Sequence, residues 1–283
     1  SRRGTAVAVT FHPHPAKVLR PRQAPPQLTT LEQKLALLEA TGVELALVVP
    51  FTLAFARLSP RAFLEQVVCG RLRTEVLCVG DNFRFGHRHA GDVALLRSLA
   101  AELNFEIEIV PPVVVGGRTA SSTAIRQLVT EGQVGQAAQL LGRPFALTGE
   151  IKPGAGRGQK LAFPTLNMAP EQECLPGRGV YVSETVLGEQ VWPSATNVGV
   201  RPTFDGRGLV VESHLLGFSG AVTGGRLEVR FRERLRAEKK FPTPEALQAQ
   251  IADDVARART FFAQGERHEI ATEDRRHGEK PVS

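Results

Sequence analysis

Apolar positions in the first half of the chain switch between two periods. Val7 to Phe11 is a short β-branched run, and Leu31, Leu35, Leu37 and Leu38 then recur at helical spacing. Thr30 stands where an N-cap is needed and Gly42 where that helix must stop. Leu45 to Val49 predicts the next strand. Ser59 and Pro60 predict an N-cap and first position for a helix carrying Phe63, Val67 and Val68 on one face. Val76–Val79 and Phe105–Val110 predict further strands, separated by a helix that starts at Gly91-Asp92 and runs through Leu103. Ser122 is placed to cap a helix ended by Gly132, and one more helix falls near Gln136–Leu141. Strand, helix and strand in turn predict a parallel sheet with crossover helices, an α/β Rossmann-like arrangement.

The pattern changes at Gly142-Arg143-Pro144. Beyond it, short strands separated by glycine and proline are predicted at Ala146–Ile151, Gly179–Val186, Val191–Val198, Val210–Leu216 and Leu227–Arg232. This spacing predicts an antiparallel barrel. A helix follows from Pro244 to about Ala263, with Leu247, Ile251 and Val255 on one face. The expected division is residues 1–142, residues 143–264, and a disordered polar tail over 265–283. The ladder Arg230, Arg232, Arg234, Arg236 has a spacing of two, which predicts a solvated strand face opposite Val229, Phe231 and Leu235.

Composition narrows the class. At 283 residues with 42% hydrophobic and 23% charged, the chain can bury two cores. No apolar stretch nears the roughly 18 residues that span a bilayer. Cys69, Cys78 and Cys174 are far apart and form no Cys-x-x-Cys pair, a usage that suits a reducing, cytoplasmic setting. The net charge is +6, and residues 1–144 hold most of it, with 16 Lys+Arg against 11 Asp+Glu. Such a surplus suits an anionic ligand or a nucleic acid. The arginine ladder has no interleaved aromatics, as a single-strand platform would, so nucleic acid is not the expected partner.

The strongest local signal is the run from Gly154 to Asn167. Gly154, Gly156 and Gly158 allow close approach of backbone to a phosphate, and Arg157 and Lys160 can neutralise its charge. Walker A is excluded, because no Gly-Lys-Ser/Thr follows. Pro164 stiffens the entry to Thr165 and Asn167, whose side chains share one face of an extended segment. A hydroxyl and an amide oxygen on one face suit a Mg²⁺ held mostly by nucleotide phosphates. Glu212 lies in an apolar strand on one face with Val210 and His214, a candidate proton acceptor.

The Gly154–Asn167 run resembles the glycine-rich loop and Pro-Thr-x-Asn motif of riboflavin kinases. Gly179-Val180-Tyr181, Thr196-Asn197-Val198-Gly199, Val211-Glu212-Ser213-His214 and Leu235-Arg236-Ala237-Glu238-Lys239-Lys240-Phe241 continue the resemblance in order. The first half resembles the flavin adenylyltransferase module of bacterial bifunctional riboflavin kinase/FAD synthetases. It does so through Phe11-His12-Pro13-His14-Pro15, Gly80-Asp81-Asn82-Phe83 and Ser121-Ser122-Thr123-Ala124-Ile125-Arg126.

The resemblance implies a six-stranded barrel kinase with a C-terminal helix, phosphorylating riboflavin to FMN with Mg-ATP. Glu212 would be its base, with Thr165 and Asn167 at the metal. It also implies an adenylyl-transfer site at Pro13, His14, Asn82, Phe83, Ser122, Thr123 and Arg126, converting FMN to FAD. Those last three residues form a helix N-terminus suited to polyphosphate. None of the seven histidines forms the family's His-x-Gly-His motif. The expectation is therefore an adenylyltransferase domain lacking its first strand and loop, and FAD synthesis only where these are present. The rivals are a kinase-only enzyme with a non-catalytic first domain, and a basic RNA-binding protein on a degenerate nucleotidyltransferase fold. Expected partners are riboflavin and ATP, with no membrane; an oligomer is compatible with the sequence.

Overall fold

Most strands and helices of the first half form where the two periods place them, and Thr30, Ser59 and Asp92 each cap a helix. In the computed structural model, residues 4–153, 163–203, 206–220, 222 and 224–278 are described, with backbone alone at 200–209 and 265–278. The chain divides into two compact units, residues 1–25 with 30–120, and residues 26–29 with 121–283.

In the first unit, β1 (Val7–His12) leads to α1 (Pro15–Leu19), α2 (Leu31–Ala40) and β2 (Leu45–Pro50), with β1 and β2 paired in parallel. A capping box closes the start of α2: the Thr30 hydroxyl accepts from Gln33 N, and the Gln33 side chain accepts from Thr30 N. Next come α3 (Pro60–Phe63), β3 (Val76–Gly80), α4 (Val93–Leu103) and β4 (Glu106–Val110), with β3 and β4 also parallel. Ser59 and Asp92 cap α3 and α4 through their side-chain oxygens. The expected parallel arrangement is thus present as two pairs, each a separate two-stranded sheet among the described residues. Leu64, Val68, Val79, Leu96, Leu99 and Phe105 build this unit's core.

Two local features depart from the sequence pattern. The helix opened by Pro60 continues over Leu64–Arg71 with π winding, although its apolar positions fit ordinary helical spacing. A short hairpin, β5 (Val114–Val115) and β6 (Arg118–Thr119), turns through Gly116 and Gly117 at φ of 56° and 77°. Two consecutive positive φ values are what a two-residue hairpin turn requires, and glycine supplies them without strain.

The second unit joins α5 (Ser122–Thr130) and α6 (Val134–Leu141) to a closed barrel. The cap of α5 is Ser121, not Ser122: its hydroxyl accepts from Ala124 N at 3.2 Å, and Ser122 is the first helical residue. The barrel strands are β7 (Phe145–Lys152), β8 (Leu166–Pro170), β9 (Gly179–Leu187), β10 (Gln190–Thr203), β11 (Gly206–Leu215) and β12 (Arg226–Ala237). They run in the order β10-β11-β8-β7-β12-β9, each antiparallel to its neighbours. Alternate residues fill the barrel, among them Phe145, Leu147, Tyr181, Val198, Val211, Val229 and Phe231. Ile125, Leu128, Val129 and Ala137 belong to the same core, so α5 and α6 pack as part of the barrel unit.

A last helix, α7 (Pro244–Gly278), lies over the outside of the barrel, where Val255 and Ala258 meet Val182 and Ala195. Its backbone stays helical past Ala263, where an end and a disordered tail were expected. The segment beyond lacks an apolar stripe but is rich in Glu and Arg, which favour helix by propensity alone.

The arginine ladder is only in part the solvated face its spacing predicts: the Arg230 and Arg232 side chains are 40% and 38% exposed, that of Arg236 only 17%. Two register shifts, between Phe231 and Glu233 and between Arg234 and Arg236, break the period of two. Arg234 therefore lies opposite Tyr181 and Arg236 opposite Val180, adjacent residues of β9 that face opposite sides. Arg230 pairs with Glu228 and Arg232 with Glu184 at 2.6 Å, while Arg236 grips the buried Asp254 of α7 with two nitrogens. Arg232 thus ties β12 to β9, and Arg236 ties it to α7.

Candidate active site

Register assembles the site. Glu212 on β11 lies directly opposite Asn197 on β10 and Asn167 on β8, and Asn167 lies opposite Lys152 on β7. Directly opposed residues in an antiparallel sheet point to the same side. Val211 and Met168, one step along, point into the barrel core. The rung Asn197–Glu212–Asn167–Lys152 is therefore on the barrel's outer face.

Asn167 is only 8% exposed, and its side-chain oxygen has no hydrogen-bond partner among the described residues. Burying such an acceptor unpaired costs about 1–3 kcal/mol, a cost that a bound ligand or cation would remove. Thr165 precedes it by two residues and is half-buried. An amide oxygen, a hydroxyl and a nearby carboxylate are hard oxygen donors, a set that fits Mg²⁺. Lys152 is engaged by Glu150 on its own strand.

Two further features frame Glu212. His214, two residues on and on the same face, meets the Pro164 carbonyl through Nδ1 at 2.9 Å, with Phe163 edge-on against its ring. Across β10, a side chain at Gly199 would come within 2.8 Å of the Glu238 carboxylate and 3.2 Å of the Asn197 amide nitrogen. The bare glycine keeps that space open. Asn197 and His214 stand in motifs visible in the sequence; strand alternation already puts His214 beside Glu212, whereas only the register brings Asn197 there. Gly154, Gly156, Arg157, Gly158 and Lys160 lie outside the described residues.

The residues named for adenylyl transfer divide between the two units. Pro13, His14, Asn82 and Phe83 are in the first, Ser122, Thr123 and Arg126 in the second. His14 caps α1, its Nδ1 accepting from Ala16 N at 3.2 Å, and Pro13 follows a cis peptide. Asn82 is exposed in the turn after β3, and Phe83 stacks on Phe85 with centroids 5.4 Å apart. Ser122 and Thr123 are exposed in the first turn of α5. Arg126 donates from Nε to the Pro26 carbonyl at 2.8 Å, which spends one of its donors on backbone.

The riboflavin kinase family model matches residues 141–262, and the FAD synthetase family model matches residues 1–124. Barrel, rung and paired matches define a two-module transferase. The chain belongs to the family of bifunctional riboflavin kinase/FMN adenylyltransferases. The bifunctional riboflavin kinase/FMN adenylyltransferase of Escherichia coli strain K12 is 37% identical over 257 residues, covering 90% of this chain and 82% of that protein. The Listeria monocytogenes protein of the same name is 34% identical over 262 residues, covering 92% and 82%. A crystal structure described as a macrolide-efflux protein from Streptococcus pneumoniae superposes with a TM-score of 0.80 at 26% identity, covering 89% of this chain and 83% of that one. Among the described residues no helix is long and apolar enough to cross a membrane.

Proposed function

We propose that the chain transfers the γ-phosphoryl group of ATP to the terminal ribityl hydroxyl of riboflavin, giving FMN and ADP. The observation that carries this reading is the rung that sets Glu212 beside a buried, unpartnered Asn167 oxygen in a barrel matched by riboflavin kinases. Glu212 accepts the hydroxyl proton as the oxygen–phosphorus bond forms and the bond to ADP breaks. Thr165 and Asn167 are the residues that would hold Mg²⁺. Bound there, the ion would neutralise charge on the nucleotide's phosphates. Gly154, Gly156 and Gly158, with Arg157 and Lys160, are proposed to cradle those phosphates.

The second proposed activity is adenylylation of FMN to FAD with release of pyrophosphate, supported by the match over residues 1–124. Pro13, His14, Asn82, Phe83, Ser122, Thr123 and Arg126 are its proposed residues. We place the protein in the cytoplasm, where both substrates and reduced cysteines are at hand.

Thr165→Ala and Asn167→Ala test the metal assignment. Each is expected to raise the magnesium concentration for half-maximal FMN formation about tenfold, the weight of one lost charge-assisted contact. Unchanged magnesium titrations of both variants would contradict it.

A further inference from the structure

The β8–β11 ladder stops at Leu166 and Ser213. Thr165 therefore lies one residue outside it, and no strand bond to β11 sets its direction. Pro164, before it, has no N–H, so its carbonyl is its one backbone handle. That carbonyl is taken by His214, the residue next to the last paired position on β11, at 2.9 Å from Nδ1. A carbonyl oxygen only accepts, so Nδ1 carries the hydrogen. The ring is held in turn by Phe163, with centroids 5.4 Å apart and planes at 84°. Because the Pro164 carbonyl and the Thr165 nitrogen share one rigid peptide plane, fixing the first fixes where Thr165 starts.

We infer that His214 is a positioning residue of the kinase site: its Nδ1–H orients the Pro164–Thr165 peptide and so holds Thr165, and Asn167 beyond it, in line with Glu212. The side chain extends the ladder by one step where the backbone cannot. This inference rests on the kinase reading, and it concerns the nucleotide end of the site. Riboflavin affinity should not depend on it.

Three substitutions separate the donor from the ring. His214→Asn keeps an N–H near the Nδ1 position. His214→Gln moves the donor outward, and His214→Phe keeps an aromatic ring against Phe163 without a donor. Loss of one such bond is worth about five- to tenfold. The Gln and Phe variants should raise both the KM for magnesium-ATP and the calorimetric Kd for magnesium-ADP by that factor. Their KM for riboflavin should stay within about twofold, and His214→Asn should remain near the parent in all three constants, because its donor survives. Melting temperatures are measured on the same samples. If the Gln and Phe variants bind magnesium-ADP as the parent does, the inference is wrong. It is equally wrong if all three variants lose affinity in step with their melting temperatures, since His214 would then be structural. A parent that forms no FMN while the nucleotide Kd still follows the Asn, Gln and Phe pattern would sink the kinase reading and leave the positioning role standing.

Discussion

Glu212→Gln is expected to lower FMN formation by ~10²-fold or more while riboflavin still binds. Glutamine keeps the volume and an acceptor oxygen, and it keeps the place opposite Asn197 and Asn167. It cannot take the ribityl proton, so the loss belongs in turnover and not in affinity. Phosphoryl transfer through a loose transition state depends heavily on positioning, which the substitution leaves alone. A carboxylate with a purely structural role would give the opposite pattern: a lower melting temperature and near-normal turnover per folded molecule. Single-turnover rate, flavin fluorescence on binding and thermal melting, measured together, separate the two. Turnover within about threefold of the parent, well short of the general-base range, would remove Glu212 from that role.

Gly149→Ala should be the most damaging small change in the barrel. A Cβ there would lie 2.0 Å from the Ala169 carbonyl oxygen and 2.8 Å from the Met168 side chain. Gly149 sits opposite Pro170 in the β7–β8 seam, and β8 carries Asn167. Backbone must move to admit one methyl group, so the cost should reach the upper end of overpacking, about 3 kcal/mol. For a unit of this size that is roughly 6–12 °C in melting temperature. Gly135→Ala is the control. A Cβ there would meet only the Arg232 carbonyl oxygen, at 3.5 Å, and alanine favours helix over glycine, so a neutral or slightly stabilising effect of up to about 1 kcal/mol is expected. Equal melting of Gly149→Ala and the parent would mean that the seam gives way more easily than its packing implies.

The barrel was largely legible because its strands alternate: Val211, Ser213 and Leu215 are buried while Glu212 and His214 are half-exposed. Alternation identifies faces but not partners. Glu212 and Asn167 could therefore be singled out from the sequence, whereas Asn197 became part of the site only through register. The arginine ladder misled for a related reason. A strict period of two assumes an unbroken strand, and β12 carries two bulges that turn Arg234 and Arg236 to different faces. In the first unit, the caps at Thr30, Ser59 and Asp92 were visible because each cap is a single side chain. The π winding over Leu64–Arg71 left no mark, since its apolar residues suit an ordinary helix equally well. The β5–β6 hairpin did leave one, in Gly116-Gly117, a turn signal flanked by too few residues to stand out.

The adenylyl-transfer residues were found by motif alone, and they lie in different compact units. Of the kinase residues, Glu212 and Asn167 are better tied together, because one rung of one sheet holds both. Chromatography of the products formed from riboflavin and Mg-ATP by the purified chain addresses that site most directly. A riboflavin-dependent FMN peak with equimolar ADP is expected, and its disappearance in Glu212→Gln should follow. ADP release without FMN, or no product from a folded, flavin-binding chain, would contradict the assignment of riboflavin phosphorylation to this barrel.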